Sequence, residues 1–143
     1  MEAVKFGSKL VVRLDKGDEI VACVTCLCKE HKVKLASLSG IGAVNQISIG
    51  LFRQLTQEYI TKEMTGDMEI ASLSGNISEK NGEVYVHLHI VVTDDSFQAF
   101  GGHLNLGTVG ATSEIVIDMA DGRVDRAFSK EIGLNLMKFT VKE

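Results

Sequence analysis

Apolar and polar positions along the chain follow two different periods, and the helical one is confined to a single segment. Between residues 18 and 32, apolar side chains recur every three or four positions, which predicts an amphipathic helix. Asp15 or Asp18 is placed to cap its start, and His31 lies where positive charge complements the C-terminal end of the helix dipole. We therefore predict one main helix near the start of the chain.

Most of the remaining sequence alternates between apolar and polar residues, which is typical of β-strands. Asn81-Gly82 predicts a two-residue hairpin turn, and Thr65-Gly66-Asp67 predicts another turn. The predicted strands cover residues 9–14, 35–38, 43–52, 58–64, 68–78, 84–92, 104–106, 113–119, 125–128 and 134–141. Many strands, short polar turns and one helix indicate an α+β fold built on a largely antiparallel sheet.

Composition narrows the class of protein. A chain of 143 residues, with 45% hydrophobic and 24% charged residues, is ordinary for one globular domain, and we expect residues 1–143 to form a single one. No segment resembles a signal peptide, and no apolar run is long enough to span a bilayer. These features predict a cytoplasmic protein that does not enter a membrane.

The charge balance bears on nucleic-acid binding. The formal net charge is −4, and the basic residues are scattered, without a run longer than two. Proteins that bind DNA usually carry a basic surface, because Lys and Arg contacts to phosphate supply most of the non-specific affinity. The balance therefore argues against a dedicated DNA-binding protein, although a basic patch could still assemble in three dimensions.

The three cysteines, Cys23, Cys26 and Cys28, lie in the predicted helix. Their spacing suggests a redox or zinc half-site, but Cys26 would lie nearly opposite the apolar stripe that includes Cys28. One helix face therefore cannot present all three thiols, and we interpret them as small, partly buried apolar residues.

Three of the four histidines fall within seventeen residues, and they carry the clearest chemical signal in the chain. His87-Leu88-His89 lies in a predicted strand, and His103 follows Gly101-Gly102. Strand residues two apart point to the same face, roughly 6.6–6.8 Å from each other along the backbone. Two such imidazoles can converge on one ion, and a third from a neighbouring strand would complete a three-histidine site with an open fourth position. We predict that His87, His89 and His103 bind a metal.

Ligand type limits the choice of metal, and nearby residues limit its chemistry. Neutral imidazoles suit Zn²⁺, which is the default where no redox chemistry is implied, although nickel, copper or iron would also bind. The two glycines would let the backbone approach another group closely or adopt a positive φ. Asp94 and Asp95 could orient an imidazole, and Glu114 is the candidate for a catalytic acid or base.

The order of motifs resembles the PPC domain family, also called DUF296 or PD1-like, over nearly the whole chain. The motifs, in order, are Ser39-Gly40-Ile41-Gly42-Ala43, Met68-Glu69-Ile70-Ala71-Ser72-Leu73-Ser74-Gly75-Asn76, His87-Leu88-His89 and Gly101-Gly102-His103-Leu104. The resemblance implies a compact α+β domain that assembles as a homotrimer. In stand-alone prokaryotic members, histidines at the positions of His87, His89 and His103 are associated with a bound metal, typically zinc.

The family is often described as DNA-binding, but plant relatives bind DNA through separate AT-hook segments built around a Gly-Arg-Pro core. This chain contains no proline and therefore has no AT-hook. The resemblance thus implies an oligomerisation and interaction domain more than a DNA-binding one.

Three functions remain open. The first is a metal-binding homotrimer whose open metal position holds a small ligand, acting as a sensor, regulator or interaction module. The second is a zinc-dependent hydrolase that uses a metal-bound water, with Glu114 as its acid or base. The third is a DNA-binding regulatory protein.

Overall fold

Long antiparallel strands dominate the fold, and a single helix accompanies them in the part of the chain that the structure describes. The computed structural model describes residues 1–139. The elements are β1 (Glu2–Phe6), β2 (Lys9–Asp15), α1 (Ile20–Glu30), β3 (Ala36–Arg53), β4 (Glu58–Lys80), β5 (Glu83–Thr93), β6 (Ala99–Met119), β7 (Asp125–Ser129) and β8 (Leu134–Lys138). The predicted α+β class with a largely antiparallel sheet is confirmed.

Six strands form one sheet in the order β1-β2-β6-β3-β4-β5, and β5 also pairs with β6. This additional pairing closes β6, β3, β4 and β5 into a ring. Strands β7 and β8 form a separate two-stranded hairpin. The ring matters for the site because it brings β5 and β6 side by side at the predicted histidine positions.

The core fills the inner face of the ring and the space beneath α1. Alternate residues of β5 and β6, such as Leu88, Ile90 and Leu104, are almost fully buried. The predicted helical stripe packs on the same core through the buried side chains Ile20, Val24, Leu27 and Cys28. Because strand residues alternate between faces, burial of Leu88 and Ile90 turns His87 and His89 outward.

The helix begins differently from the prediction. Neither Asp15 nor Asp18 is its N-cap; the cap is Glu19, whose carboxylate accepts hydrogen bonds from the backbone N–H groups of Val21 and Ala22. The same carboxylate accepts a bond from the N–H of Gly107 at 3.0 Å. A longer side chain can therefore cap the helix and tie its start to β6 at once.

Several predicted interruptions do not break strands. The predicted turn at residues 65–67 is wrong, because β4 runs through it. Val44 pairs with Met68 and Gln46 with Thr65, so β4 carries one extra residue there, and Gly66 (φ 117°) absorbs it as a bulge. The predicted hairpin turn at Asn81-Gly82 is confirmed, with φ values of 54° and 83°.

Other predicted strands were shorter or longer than the strands in the structure. The predicted segments 104–106 and 113–119 belong to one strand, β6, and the predicted segments 35–38 and 43–52 belong to β3. Strand β1 was not predicted. The last predicted strand, 134–141, ends at Lys138, and its final two residues lie outside the described residues. Among residues 1–139 no helix is long and apolar enough to cross a bilayer.

Candidate metal centre

The three histidines meet where β5 and β6 pair. His87 and His89 lie two apart on β5, and His89 is the register partner of His103 on β6. On its other side, His103 pairs with Gly50 of β3. Period-two alternation and one cross-strand pair are therefore enough to place three imidazoles on the outer face of the ring.

The imidazoles are close enough to share one ion. The ring centroid of His87 lies 5.2 Å from that of His89 and 5.1 Å from that of His103, and the centroids of His89 and His103 are 5.6 Å apart. One ring nitrogen from each residue can be chosen so that all three lie within 4.8 Å of one another. Three nitrogens bound to zinc at about 2.0–2.1 Å would lie somewhat closer together than that limit. Small rotations of the rings would therefore close the set around a metal.

Glycines next to the histidines allow the strands to approach. A Cβ on Gly101 would lie 2.9 Å from the carbonyl oxygen of Ile90, and one on Gly102 would lie 2.8 Å from that of Gly50. Neither glycine has a positive φ. The sequence predicted either a close backbone approach or a positive φ for this glycine pair, and the structure shows the close approach.

The protonation of the histidines favours metal binding. Burial, together with the neighbouring His103, Arg126 and His89, lowers the pKa of His87 to about 4. Burial and the neighbouring His89 also lower the pKa of His103 below its ordinary value. Both rings are thus neutral near pH 7 and can offer a lone pair, so the donor set fits a divalent transition metal.

The histidines line a pocket of about 820 Å³ between the main sheet and the hairpin. Its sheet side includes Tyr59, whose hydroxyl donates a 2.7 Å hydrogen bond to Oδ1 of Asn105. The Tyr59 ring meets that of His103 edge-on, with centroids 6.2 Å apart. The hairpin side is supplied by Arg126 and residues 133–137. The histidines therefore face a partly open pocket large enough for a small molecule.

Arg126 is the most buried charged residue at this pocket, with 8% of its surface exposed. Its guanidinium donates to Oγ of Ser78 at 2.8 Å, Oδ1 of Asn76 at 2.8 Å and the backbone oxygen of Asn135 at 3.0 Å. It also lies 4.5 Å from the centroid of the Tyr85 ring. Asn76 is the cross-strand partner of His87, so the guanidinium is held directly beside the histidine cluster.

The profile of the Plants and Prokaryotes Conserved (PCC) domain matches residues 1–121. The chain belongs to the PCC family. This is the family that the order of motifs predicted under the name PPC. The match ends before β7, so the hairpin that supplies Arg126 lies outside the segment of this PCC protein that the family profile describes.

Solved structures of similar proteins share the whole fold. A candidate DNA-binding protein from Bacteroides thetaiotaomicron is 34% identical, with a TM-score of 0.94 and 96% of each chain covered. A metal-containing protein from Archaeoglobus fulgidus is 33% identical, with a TM-score of 0.85, 97% of this chain and 100% of that one covered. A plant- and prokaryote-conserved (PPC) protein from Pyrococcus horikoshii is 28% identical, with a TM-score of 0.84 and coverage of 99% and 96%.

One curated relative is much longer than this PCC chain. The bifunctional protein GlmU of Synechococcus sp. is 36% identical over 108 residues, which cover 74% of this chain but 16% of that protein. The chain thus spans about a sixth of that relative's length, and the likeness concerns one segment of it.

Other residues singled out in the sequence lie away from the histidines. Glu114 is an exposed residue of β6 opposite Arg13, and eleven strand positions, roughly 36 Å of strand, separate it from His103. The carboxylate of Asp94 accepts bonds from Ser96 and Gln98 in the turn after β5. Both lie outside the set of residues that lines the pocket.

The cysteines also remain apart from the cluster. Cys23 is partly buried, Cys26 is exposed and Cys28 is buried, and all three are free thiols, as the helical spacing predicted. Among the pocket residues that the sequence did not reveal are Arg126, Asn135 and Tyr59. Nothing in their local spacing marks them, because each reaches the histidines from a different element.

Proposed function

We propose that this PCC-family protein binds a divalent transition metal, zinc in the first instance, through His87, His89 and His103, and that the metal holds a small ligand in the pocket. The observation that carries the proposal is the convergence of three imidazole nitrogens, all within 4.8 Å, on the wall of a pocket. The metal would supply Lewis acidity and an anchoring point, while the surrounding residues select the ligand. The metal-containing relative from Archaeoglobus fulgidus supports this reading.

Ligand binding is favoured over hydrolysis because no carboxylate lines the part of the pocket that the structure describes. Among the described residues that line it, none is Asp or Glu, and Glu114 lies far along β6. A hydrolase would need a group that moves a proton at the reacting atom. We therefore propose a sensing, regulatory or interaction role in the cytoplasm, and keep the zinc-dependent hydrolase as the alternative.

We further propose that the protein is a homotrimer. The resemblance to PPC domains implies this assembly, and the exposed apolar side chains are consistent with an interface between copies. Phe6 is 63% exposed, Ile41 59% and Phe97 87%. Light scattering after size-exclusion chromatography should give three times the mass of the 15.5 kDa chain, and a monomer at micromolar concentration would contradict the assembly.

A DNA-binding role is the remaining candidate, and the similar structures described as candidate DNA-binding proteins are what favour it. The net charge of −4 opposes it. A mobility-shift series over increasing salt tests whether the protein binds DNA, because binding through phosphate contacts must weaken steeply as salt rises. Retarded DNA at low salt with that dependence would revive this candidate.

The metal site is tested by comparing two histidine variants. His89→Ala removes one proposed ligand, whereas His31→Ala removes the one histidine outside the cluster, at the end of α1. We expect about one metal ion per wild-type chain by elemental analysis, and Co²⁺ affinity weakened by at least about 100-fold in His89→Ala, since even indirect supports of a ligand are worth 10–100-fold. His31→Ala should bind Co²⁺ like the wild type.

Two results would contradict the metal proposal. One is wild-type protein that carries no metal after purification and takes up neither Zn²⁺ nor Co²⁺. The other is an equal loss of Co²⁺ binding in the two histidine variants, which would show that the three-histidine cluster is not the metal-binding site.

A further inference from the structure

Arg126 carries a buried positive charge that the described part of the protein does not neutralise. Its three hydrogen-bond acceptors, on Ser78, Asn76 and Asn135, are all uncharged, and among residues 1–139 the guanidinium forms no ion pair. Its neighbour Asp125 instead accepts bonds from the backbone N–H groups of Asn81 and Arg126. Burying an ion without a counter-ion is costly, even when neutral acceptors surround it.

The guanidinium still has donors to offer. It carries five N–H groups, of which these three contacts use three, so two remain for another partner. Because Arg126 lines the pocket beside His87, a molecule in that pocket lies within reach of the free donors. Arginine binds oxyanions with paired, charge-assisted hydrogen bonds, which makes an anion the natural partner.

The other residues that line the pocket indicate what the ligand carries besides its negative charge. Asn135 also lines the pocket, but its Oδ1 is buried away from solvent and has no hydrogen-bond donor among residues 1–139. Leu134, Leu136 and Met137 add apolar wall from the hairpin. A bare inorganic ion could pair with Arg126 but would make no contact with the apolar wall.

We propose that the pocket binds a small organic carboxylate, whose carboxylate group pairs with Arg126 while its carbon skeleton packs against the apolar wall of the hairpin. This inference rests on the proposed function in that the same molecule would reach the metal held by the three histidines. A divalent metal would add further positive charge to a pocket that already holds a guanidinium and, among its described residues, no acidic side chain, so an anionic ligand would balance both.

The test measures binding of L-malate to Co²⁺-loaded protein through the visible cobalt spectrum, and by calorimetry. Its uncharged diamide and inorganic phosphate are the comparison probes. Arg126→Gln removes the buried charge, and Arg123→Gln removes an equal charge from a side chain that is 69% exposed. We expect L-malate to bind the wild type and the Arg123→Gln control alike, and to bind Arg126→Gln more weakly by roughly tenfold or more.

A second variant keeps the proposal testable if Arg126→Gln does not fold. Asn135→Asp has nearly the same shape but puts a negative charge in the pocket, so it should also weaken L-malate binding by roughly tenfold while leaving Co²⁺ bound. Unchanged L-malate affinity in both variants, or equal affinity for the uncharged diamide, would overturn the proposal. Tighter binding of phosphate than of L-malate would overturn its assignment to a carboxylate.

Failure of the metal site is a separate result. If the wild type takes up no Co²⁺, the proposed function falls, but calorimetry of L-malate with metal-free protein still compares wild type with Arg126→Gln. A difference between them there supports the anion site, and no difference overturns it.

Discussion

Gly75 is the position where adding one carbon should do most damage to the metal centre. It lies in β4 opposite Leu88 of β5, next to the pair formed by Asn76 and His87. A Cβ at this position would overlap the carbonyl oxygen of His87 and lie 2.9 Å from the Cα of Leu88. Both are backbone atoms held in the strand ladder, so neither can swing aside. Gly75→Ala must therefore push β4 and β5 apart where His87 is attached.

The size of the effect follows from the hydrogen bonds of that ladder. Relieving the overlap requires a movement of about 1 Å, which lengthens a bond of about 2.9 Å beyond hydrogen-bonding distance. One lost bond costs about 1 kcal/mol net, and its buried, unpaired groups cost about 1–3 kcal/mol more. We expect the free energy of unfolding to fall by about 2–4 kcal/mol, and the melting temperature by about 5–15 °C.

Gly50→Ala is the matched control, because it also creates a severe overlap but against a movable group. The new Cβ would collide with the tip of the Tyr59 side chain, and Tyr59 is 45% exposed. We expect it to rotate outward and break its bond to Asn105, at a cost of about 1 kcal/mol. Thermal melts at one fixed protein concentration compare the two variants.

The outcome separates backbone packing from side-chain packing. Metal affinity should fall in Gly75→Ala, because His87 moves with its strand, and persist in Gly50→Ala. If Gly75→Ala melts within about 2 °C of the wild type, or if Gly50→Ala is the less stable of the two, the reasoning from backbone contact is wrong.

Three further predictions concern single side chains. His87, with its pKa lowered to about 4 against 6.5 in an unfolded chain, should titrate by NMR well below the ordinary range in metal-free protein. Because the unfolded chain then binds more protons, stability should fall as the pH drops from about 6.5 to about 4, and less so in His87→Gln. Cys26 is exposed, whereas burial raises the pKa of the Cys28 thiol to about 12; a thiol reagent should therefore modify Cys26 quickly and Cys28 only on unfolding. Tyr59→Phe removes the bond to Asn105 and should cost about 1 kcal/mol or less in chemical denaturation, because the pair is exposed.

The histidine pair could be predicted from the sequence because its geometry is local. Any strand places residues two apart on one face, so His87 and His89 needed only the assignment of β5 as a strand. His103 is different, because its place depends on which strand pairs with β5 and in which register. Spacing made it a candidate for the third ligand, and the resemblance to a known family strengthened that prediction.

Continuity of the long strands was harder to predict, because the local signals for a turn and for a bulge are similar. Gly66 adopts a positive φ in the middle of β4, and a glycine between polar residues predicts a turn just as well. What decides the outcome is the partner strand, which holds β4 in register on both sides of the extra residue. The cap at Glu19 escaped prediction for the same reason, since it also bonds to Gly107, far along the chain.

Arg126 shows most clearly where the sequence stops being informative. The side-chain partners that hold it, Ser78 and Asn76, lie 48 and 50 positions away, and a single arginine in a five-residue strand gives no periodic signal. The proposed role of Arg126 in ligand binding rests on its burial beside His87 and on the absence of acidic side chains among the described pocket residues. The histidines alone would suit many ions and many reactions. A fixed positive charge next to them favours an anionic ligand, and the proposed selectivity of this site therefore depends on the hairpin beyond the segment that the family profile matches.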